Sequence, residues 1–328
     1  MSYSGRLEVE DLHVSYYTLG GVVRAVRGVS FTVDPGRGLC IVGESGSGKT
    51  TVGLAIAGAL PPNARIVGGS IRVNGLDVAS LDARSLEKVR GNLISMIFQD
   101  PAASFNPLFT IGQTLFDIAR HKLGLEGKPE LRDAAVSALR RVGMPDPERV
   151  LSSYPHELSG GMLQRAAIAA AILPGPRVLV ADEPTTMLDV TLQYQILKLL
   201  NSLKRSMGLA LVFITHNLGV AAEVCEETLV LYAGSVAELG PTEKVLEDPL
   251  HPYTRALLEC VPTIDRRSTR LKPIPGSMPD PRSLPPGCVF HPRCQFVMEK
   301  CKKREPGLTV SGERLVSCFL YSEEGRRD

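Results

Sequence analysis

The chain has 328 residues, a formal net charge of +2 and 44% apolar residues, with no tryptophan. That length suits one large domain plus an appendage. Near-zero charge gives no electrostatic reason to expect nucleic acid as a partner, and no apolar run approaches the roughly 20 residues of a membrane-spanning helix. Met1–Arg6 lacks the apolar core of a signal peptide, so a cytosolic location is expected. Leu7–Val14 and Arg24–Val33 alternate as half-buried antiparallel strands do. Leu39–Val42 is continuously apolar, as a buried parallel strand is, and it precedes a helix over Thr50–Leu60. Ser70–Val73 with Asn74-Gly75 reads as strand and turn, and Leu93–Phe98 as another buried strand. From Asp100 to Glu157 only helical stretches remain, such as Arg132–Val142. Met162–Leu173 (helix), Val178–Ala181 (strand), Thr191–Arg205 (helix) and Leu209–Ile214 (strand) then alternate. The pattern predicts an α/β fold with a parallel sheet covered on both faces. After about Pro249, Pro becomes frequent and cysteines gather. We therefore expect two units, 1–250 with a helical subdomain at about 100–157, and 251–328.

Gly43-Glu44-Ser45-Gly46-Ser47-Gly48-Lys49-Thr50 matches G-x-x-x-x-G-K-[ST] in full, with Thr51 next. Glycines let the loop curl so that successive N–H groups and the following helix N-terminus face phosphates. Lys49 reaches the β- and γ-phosphates, and the Thr50 hydroxyl binds Mg²⁺. Val178–Ala181 delivers Asp182 and Glu183 at a strand's C-terminal end, where ligands bind in open α/β sheets. Asp182 would hold Mg²⁺, and Glu183 would orient and polarise the attacking water.

Between these lies Leu158-Ser159-Gly160-Gly161-Met162-Leu163-Gln164-Arg165. A phosphate loop, an LSGG turn and a strand ending in two acids, in this order, resemble the ATP-binding cassette (ABC) family. The resemblance implies an ABC-type P-loop ATPase with a RecA-like parallel core, an antiparallel β subdomain and a helical subdomain. It implies that Gln99 contacts Mg²⁺ and water, that His216 contacts the γ-phosphate, and that Asp189 belongs to the D-loop, although Met187 stands where Ala is usual. It places an aromatic on adenine at Tyr16 or the adjacent Tyr17. It also implies that Ser159, Gly160 and Gly161 touch ATP held by a partner subunit, with two ATPs buried at the dimer interface.

Three further stretches resemble the ATP-binding subunits of dipeptide/oligopeptide importers: Ile97-Phe98-Gln99-Asp100-Pro101 with Ser104–Pro107, His251–Leu258, and Ile274–Cys294. Met162 and Glu183-Pro184-Thr185-Thr186 are similar to the "D" type. The resemblance implies a second, "F"-type ATPase subunit, two membrane permeases, an extracellular solute-binding protein, and a peripheral site on the cytoplasmic face of the cell membrane. Nickel and oligosaccharide importers belong to the same branch, and homodimer versus heterodimer is left open. The rival readings are a non-transport ABC ATPase, for which no basic arm or coiled-coil insertion is present, and an iron–sulfur redox regulator.

Cys288, Cys294, Cys301 and Cys318 form C-x5-C-x6-C-x16-C in a Pro-rich segment with little core, where a metal staple would help. Some members of the branch are similar here and bind a [4Fe–4S] cluster. Four thiolates also suit Zn²⁺, but the C-x2–4-C pair usual for zinc is missing. Arg293, Lys300, Lys302 and Lys303 are expected to offset thiolate charge. Cys40, Cys225 and Cys260 read as small buried residues.

Overall fold

The computed structural model describes residues 5–260 and 273–322. Its N-terminal part is an antiparallel sheet of β1 (Leu7–Thr18), β2 (Gly21–Val33), β4 (Ala64–Val73) and β5 (Leu76–Asp77), in the order β2-β1-β4-β5. Between β2 and β4 the chain runs through β3 (Gly38–Val42) and α1 (Lys49–Ile56). α2 (Ala83–Val89), absent from the sequence reading, leads to β6 (Ile94–Ile97).

The stretch from Asp100 to Glu157 holds α3 (Ile111–Leu123), α4 (Lys128–Arg141) and α5 (Pro147–Ser152), with no strand. A capping box opens α3, Thr110 Oγ1 accepting from Gln113 N while Gln113 Oε1 accepts from Thr110 N. Apolar faces of α3 and α4 meet in one core through Ile111, Leu115, Ala135 and Leu139.

α6 (Gly160–Ile172), β7 (Val178–Asp182), α7 (Val190–Met207), β8 (Ala210–Thr215) and α8 (Leu218–Val224) complete the alternation. β9 (Glu227–Tyr232) and β10 (Ser235–Pro241) follow, then α9 (Thr242–Glu247) and α10 (Pro252–Glu259). The short β11 (Thr309–Ser311) and β12 (Arg314–Val316) close the described chain. The main sheet runs β11-β12-β10-β9-β3-β8-β7-β6. β9, β3, β8, β7 and β6 are mutually parallel, whereas β10, β12 and β11 are antiparallel additions.

Every residue of β3, β7 and β8 is buried, as a parallel sheet covered on both faces requires. The C-terminal ends of four neighbouring strands, β3, β6, β7 and β8, therefore open on one edge. They carry the phosphate loop, Gln99, Asp182 with Glu183, and His216.

Composition sets the C-terminal segment apart, but packing joins it to the core. β12 pairs with β10 in the main sheet. Tyr232, Tyr253 and Phe290 form one ring cluster, with centroids 4.6, 5.1 and 5.4 Å apart. The fully buried Glu238 carboxylate accepts from Leu250 N and His251 N and pairs with Arg314 at 3.5 Å, fixing the entry to α10.

Candidate functional site

The phosphate loop leaves β3 and curls into α1. Gly48 has φ 103°, and a Cβ there would lie 2.4 Å from Ala25 O, so no other residue fits. Lys49 Nζ donates to Gly43 O and Glu44 O, both at 2.8 Å. Burial lowers the Lys49 pKa, and the charges of Glu183, Asp182 and Glu44 oppose that shift.

Thr50 Oγ1 donates to Asp182 Oδ1 at 3.3 Å. Burial raises the Asp182 pKa, with the Glu183 charge adding to it. A hydroxyl oxygen beside a buried carboxylate is the oxygen-ligand chemistry that suits Mg²⁺, so these two residues fit the ion.

Glu183 is held at φ 46°, in the left-handed region, while its N–H donates to Ile214 O at 2.9 Å. Such a non-glycine conformation costs on the order of 1 kcal/mol or more and persists where surrounding structure fixes it. Here it aims the carboxylate at three partners. Oε2 accepts from Gln99 Nε2 at 3.3 Å and from Thr186 Oγ1 at 2.9 Å, and Oε1 lies 3.1 Å from His216 Nδ1. Gln99, Glu183 and His216, 117 residues apart from first to last in sequence (216 − 99), thus meet at one point.

These side chains line a cleft of about 630 Å³ together with Tyr16, Ser45, Gly46, Gly48, Lys49, Thr50 and Thr51. Of the two tyrosines left open by the sequence, Tyr16 lines the cleft and its hydroxyl lies 3.2 Å from Thr51 Oγ1, while Tyr17 is 47% exposed. Thr186, Val23, Ala25 and Pro281 also line it and were not among the expected site residues. Thr186 lies three residues after Glu183, a spacing that could have pointed to it.

Ser159, Gly160, Gly161 and Asp189 do not line this cleft. Ser159 caps α6, its Oγ accepting from Met162 N at 3.4 Å, and Asp189 caps α7, accepting from Leu192 N at 2.9 Å.

Cys288, Cys294, Cys301 and Cys318 line one small pocket of about 20 Å³ with Phe290, Phe296 and Phe319. Burial pushes the Cys288 thiol up to about 12 and Cys318 up to about 11, and it raises Cys294 as well. Among the described residues, no group of three or more His, Cys, Asp or Glu is placed to hold a metal ion. The expected four-thiolate metal site is therefore reduced to four thiols facing one pocket. Two of the cations expected to offset thiolates are engaged elsewhere: Arg293 pairs with Glu44 at 2.7 Å and Lys302 with Glu299 at 2.6 Å. Cys40 and Cys225 are buried, as expected, whereas Cys260 is half-buried.

Comparison with known proteins identifies the family. The ABC transporter family matches residues 26–186, and the oligopeptide/dipeptide transporter C-terminal region matches residues 237–301. The chain is 45% identical over 318 residues to the oligopeptide transport ATP-binding protein OppD of Salmonella typhimurium, covering 97% of this chain and 94% of that protein. It is 44% identical over 320 residues to the dipeptide transport ATP-binding protein DppD of Bacillus subtilis, covering 97% and 95%. Among solved structures, the dimeric post-hydrolysis state of the ATP-binding cassette MJ0796 bound to ADP and Pi superposes with a TM-score of 0.64 at 26% identity. That match covers 72% of this chain and 98% of the other. The chain belongs to the ABC ATPases, in the family of oligopeptide and dipeptide transport ATP-binding subunits.

Proposed function

We propose that this chain is the ATP-hydrolysing subunit of a peptide importer, docked on the cytoplasmic face of the membrane. The observation that carries the reading is the convergence of Glu183, Gln99 and His216 beside the phosphate loop. Among the described residues no helix is long and apolar enough to cross a membrane. Two permeases, a solute-binding protein and an "F"-type ATPase are the partners this reading calls for. The similarity to OppD and DppD supports peptide as the cargo. The test is whether a peptide-loaded binding protein raises ATP hydrolysis by the assembled importer and whether Glu183→Gln abolishes that response.

The reaction is in-line attack of water on the γ-phosphate, driven by positioning and charge. Lys49 exchanges its two carbonyl partners for phosphate oxygens. Thr50, Asp182 and Gln99 would hold Mg²⁺, which offsets phosphate charge. Glu183 accepts a hydrogen bond from the attacking water and orients it. His216, bonded to Glu183, reports the γ-phosphate to the end of β8. Tyr16 offers the adenine a ring at the cleft's rim. Ser159, Gly160, Gly161 and Asp189 complete the partner's site, so hydrolysis removes the contact that holds two subunits closed. Residues 251–328, partly outside the described residues, form the proposed C-terminal unit.

For the four cysteines, whose thiols as placed form no metal site, the resemblance and the donor chemistry favour a [4Fe–4S] cluster over Zn²⁺. The donor set is all sulfur, apolar rings surround it, and the sequence lacks the short pair typical of zinc. Loading must displace protons from buried, neutral thiols and widen the pocket. Protein purified without oxygen should be brown, with absorbance near roughly 400 nm and about four iron per chain. Cys288→Ser or Cys301→Ser should lose the iron. One zinc per chain without iron, or neither metal, removes the cluster from the account.

A further inference from the structure

Residue 44 is where two distant parts of the chain meet. Glu44 is the second residue of the phosphate loop, and its carbonyl accepts from Lys49 Nζ at 2.8 Å. Its N–H donates to the hydroxyl of the fully buried Tyr253 at 2.8 Å. Its carboxylate receives both arms of Arg293, Nη1 to Oε2 at 2.7 Å and Nη2 to Oε1 at 3.0 Å. Arg293 is itself fixed, its Nε donating to Pro275 O at 2.8 Å and its guanidinium lying 5.8 Å from the Tyr232 ring centroid. The side chain of Arg293 is 4% exposed and that of Glu44 28%. A rigid two-armed pair of this kind fixes orientation as well as charge.

The site's chemistry makes the pair consequential. Glu44 places a carboxylate in a loop built to bind a triphosphate. Its charge is felt at Lys49, whose ammonium is the group that meets the phosphates. An unneutralised carboxylate in that loop opposes an anion bound by the loop, and a side chain only 28% exposed is less shielded by water than one at the open surface.

We propose that Arg293 is a positioning residue for ATP binding: its ion pair neutralises and fixes Glu44, which would otherwise oppose the phosphates. Because Arg293 directly precedes Cys294, the same contact joins the thiol pocket to the nucleotide cleft.

The test uses the full chain carrying Glu183→Gln, so that nucleotide is not consumed, with MgATP affinity measured by calorimetry. Binding by this parent is established first, so a failure of the ATP-binding reading shows there and not in the Arg293 comparison. Arg293→Met keeps the stem and loses the charge, and it should raise the Kd about tenfold. Adding Glu44→Gln to Arg293→Met should bring the Kd back to within about threefold of the parent, because the opposing charge is gone. Arg293→Lys keeps the charge but loses the two-armed geometry, so it should raise the Kd clearly less than Arg293→Met does. A purely structural role would leave the single and double variants equally weak. That result, an unchanged Kd in Arg293→Met, or a tenfold loss in Arg293→Lys overturns the proposal.

Discussion

Glu183→Gln should bind MgATP with near-parental affinity and turn it over at least roughly 10²-fold more slowly, the scale of losing a positioned base. The substitution keeps the side chain's shape and one acceptor oxygen. Bonds from Gln99 Nε2 and Thr186 Oγ1 can persist on that oxygen. The 3.1 Å contact with His216 Nδ1 loses its charge. The backbone at φ 46° asks the same of Gln as of Glu, so the fold should be spared. Lys49→Ala should behave in the opposite way and weaken binding itself, because Lys49 is the buried cation of the loop. The check is single-turnover hydrolysis alongside equilibrium binding. Near-parental turnover in Glu183→Gln removes Glu183 from the mechanism.

Gly160→Asp should leave this chain's ATP binding intact and abolish ATP-dependent closure of two subunits. The geometry makes this a clean test. A Cβ on Gly160 meets nothing nearer than Leu188 Cδ2 at 3.8 Å, so aspartate fits within the chain. Gly160 opens α6, and an acid in the first turn of a helix is favourable to the helix itself. Under the proposed composite site, the loss falls on the surface that would meet the partner's γ-phosphate, where the added carboxylate would stand. Light scattering on the Glu183→Gln protein with ATP, alone and with its partner subunit, reads the outcome. Dimerisation equal to the parent's would mean that Ser159–Gly161 do not serve a nucleotide in trans.

The core of the site was legible because it lies on buried parallel strands. Leu39–Val42 and Val178–Ala181 are continuous apolar runs, and the residues that follow them are the ones the chemistry needs. β9 was missed although Thr228–Tyr232 is as buried as β3. Its hairpin to β10 turns at Ala233 (φ 46°) and Gly234 (φ 83°), and alanine in the left-handed region does not announce a turn as Asn-Gly does. Tyr16 could not be told from Tyr17 because β1 carries register shifts that break simple alternation, one of them between Val14 and Ser15. Arg293 read as a cation for the thiols because its neighbour in sequence is Cys294. Its actual partner, Glu44, lies 249 residues away and is brought to it by the Tyr232–Tyr253–Phe290 packing. Local pattern carries no trace of such a contact.

The most direct test of the central claim is ATP hydrolysis by the assembled importer. The chain, its partner ATPase and the permease pair would be reconstituted in lipid vesicles with the solute-binding protein supplied on the opposite side. The account predicts that the binding protein loaded with a di- or oligopeptide raises ATP turnover several-fold over the empty form, and that Glu183→Gln removes the response. Hydrolysis indifferent to peptide, or raised only by nickel or an oligosaccharide, would contradict it.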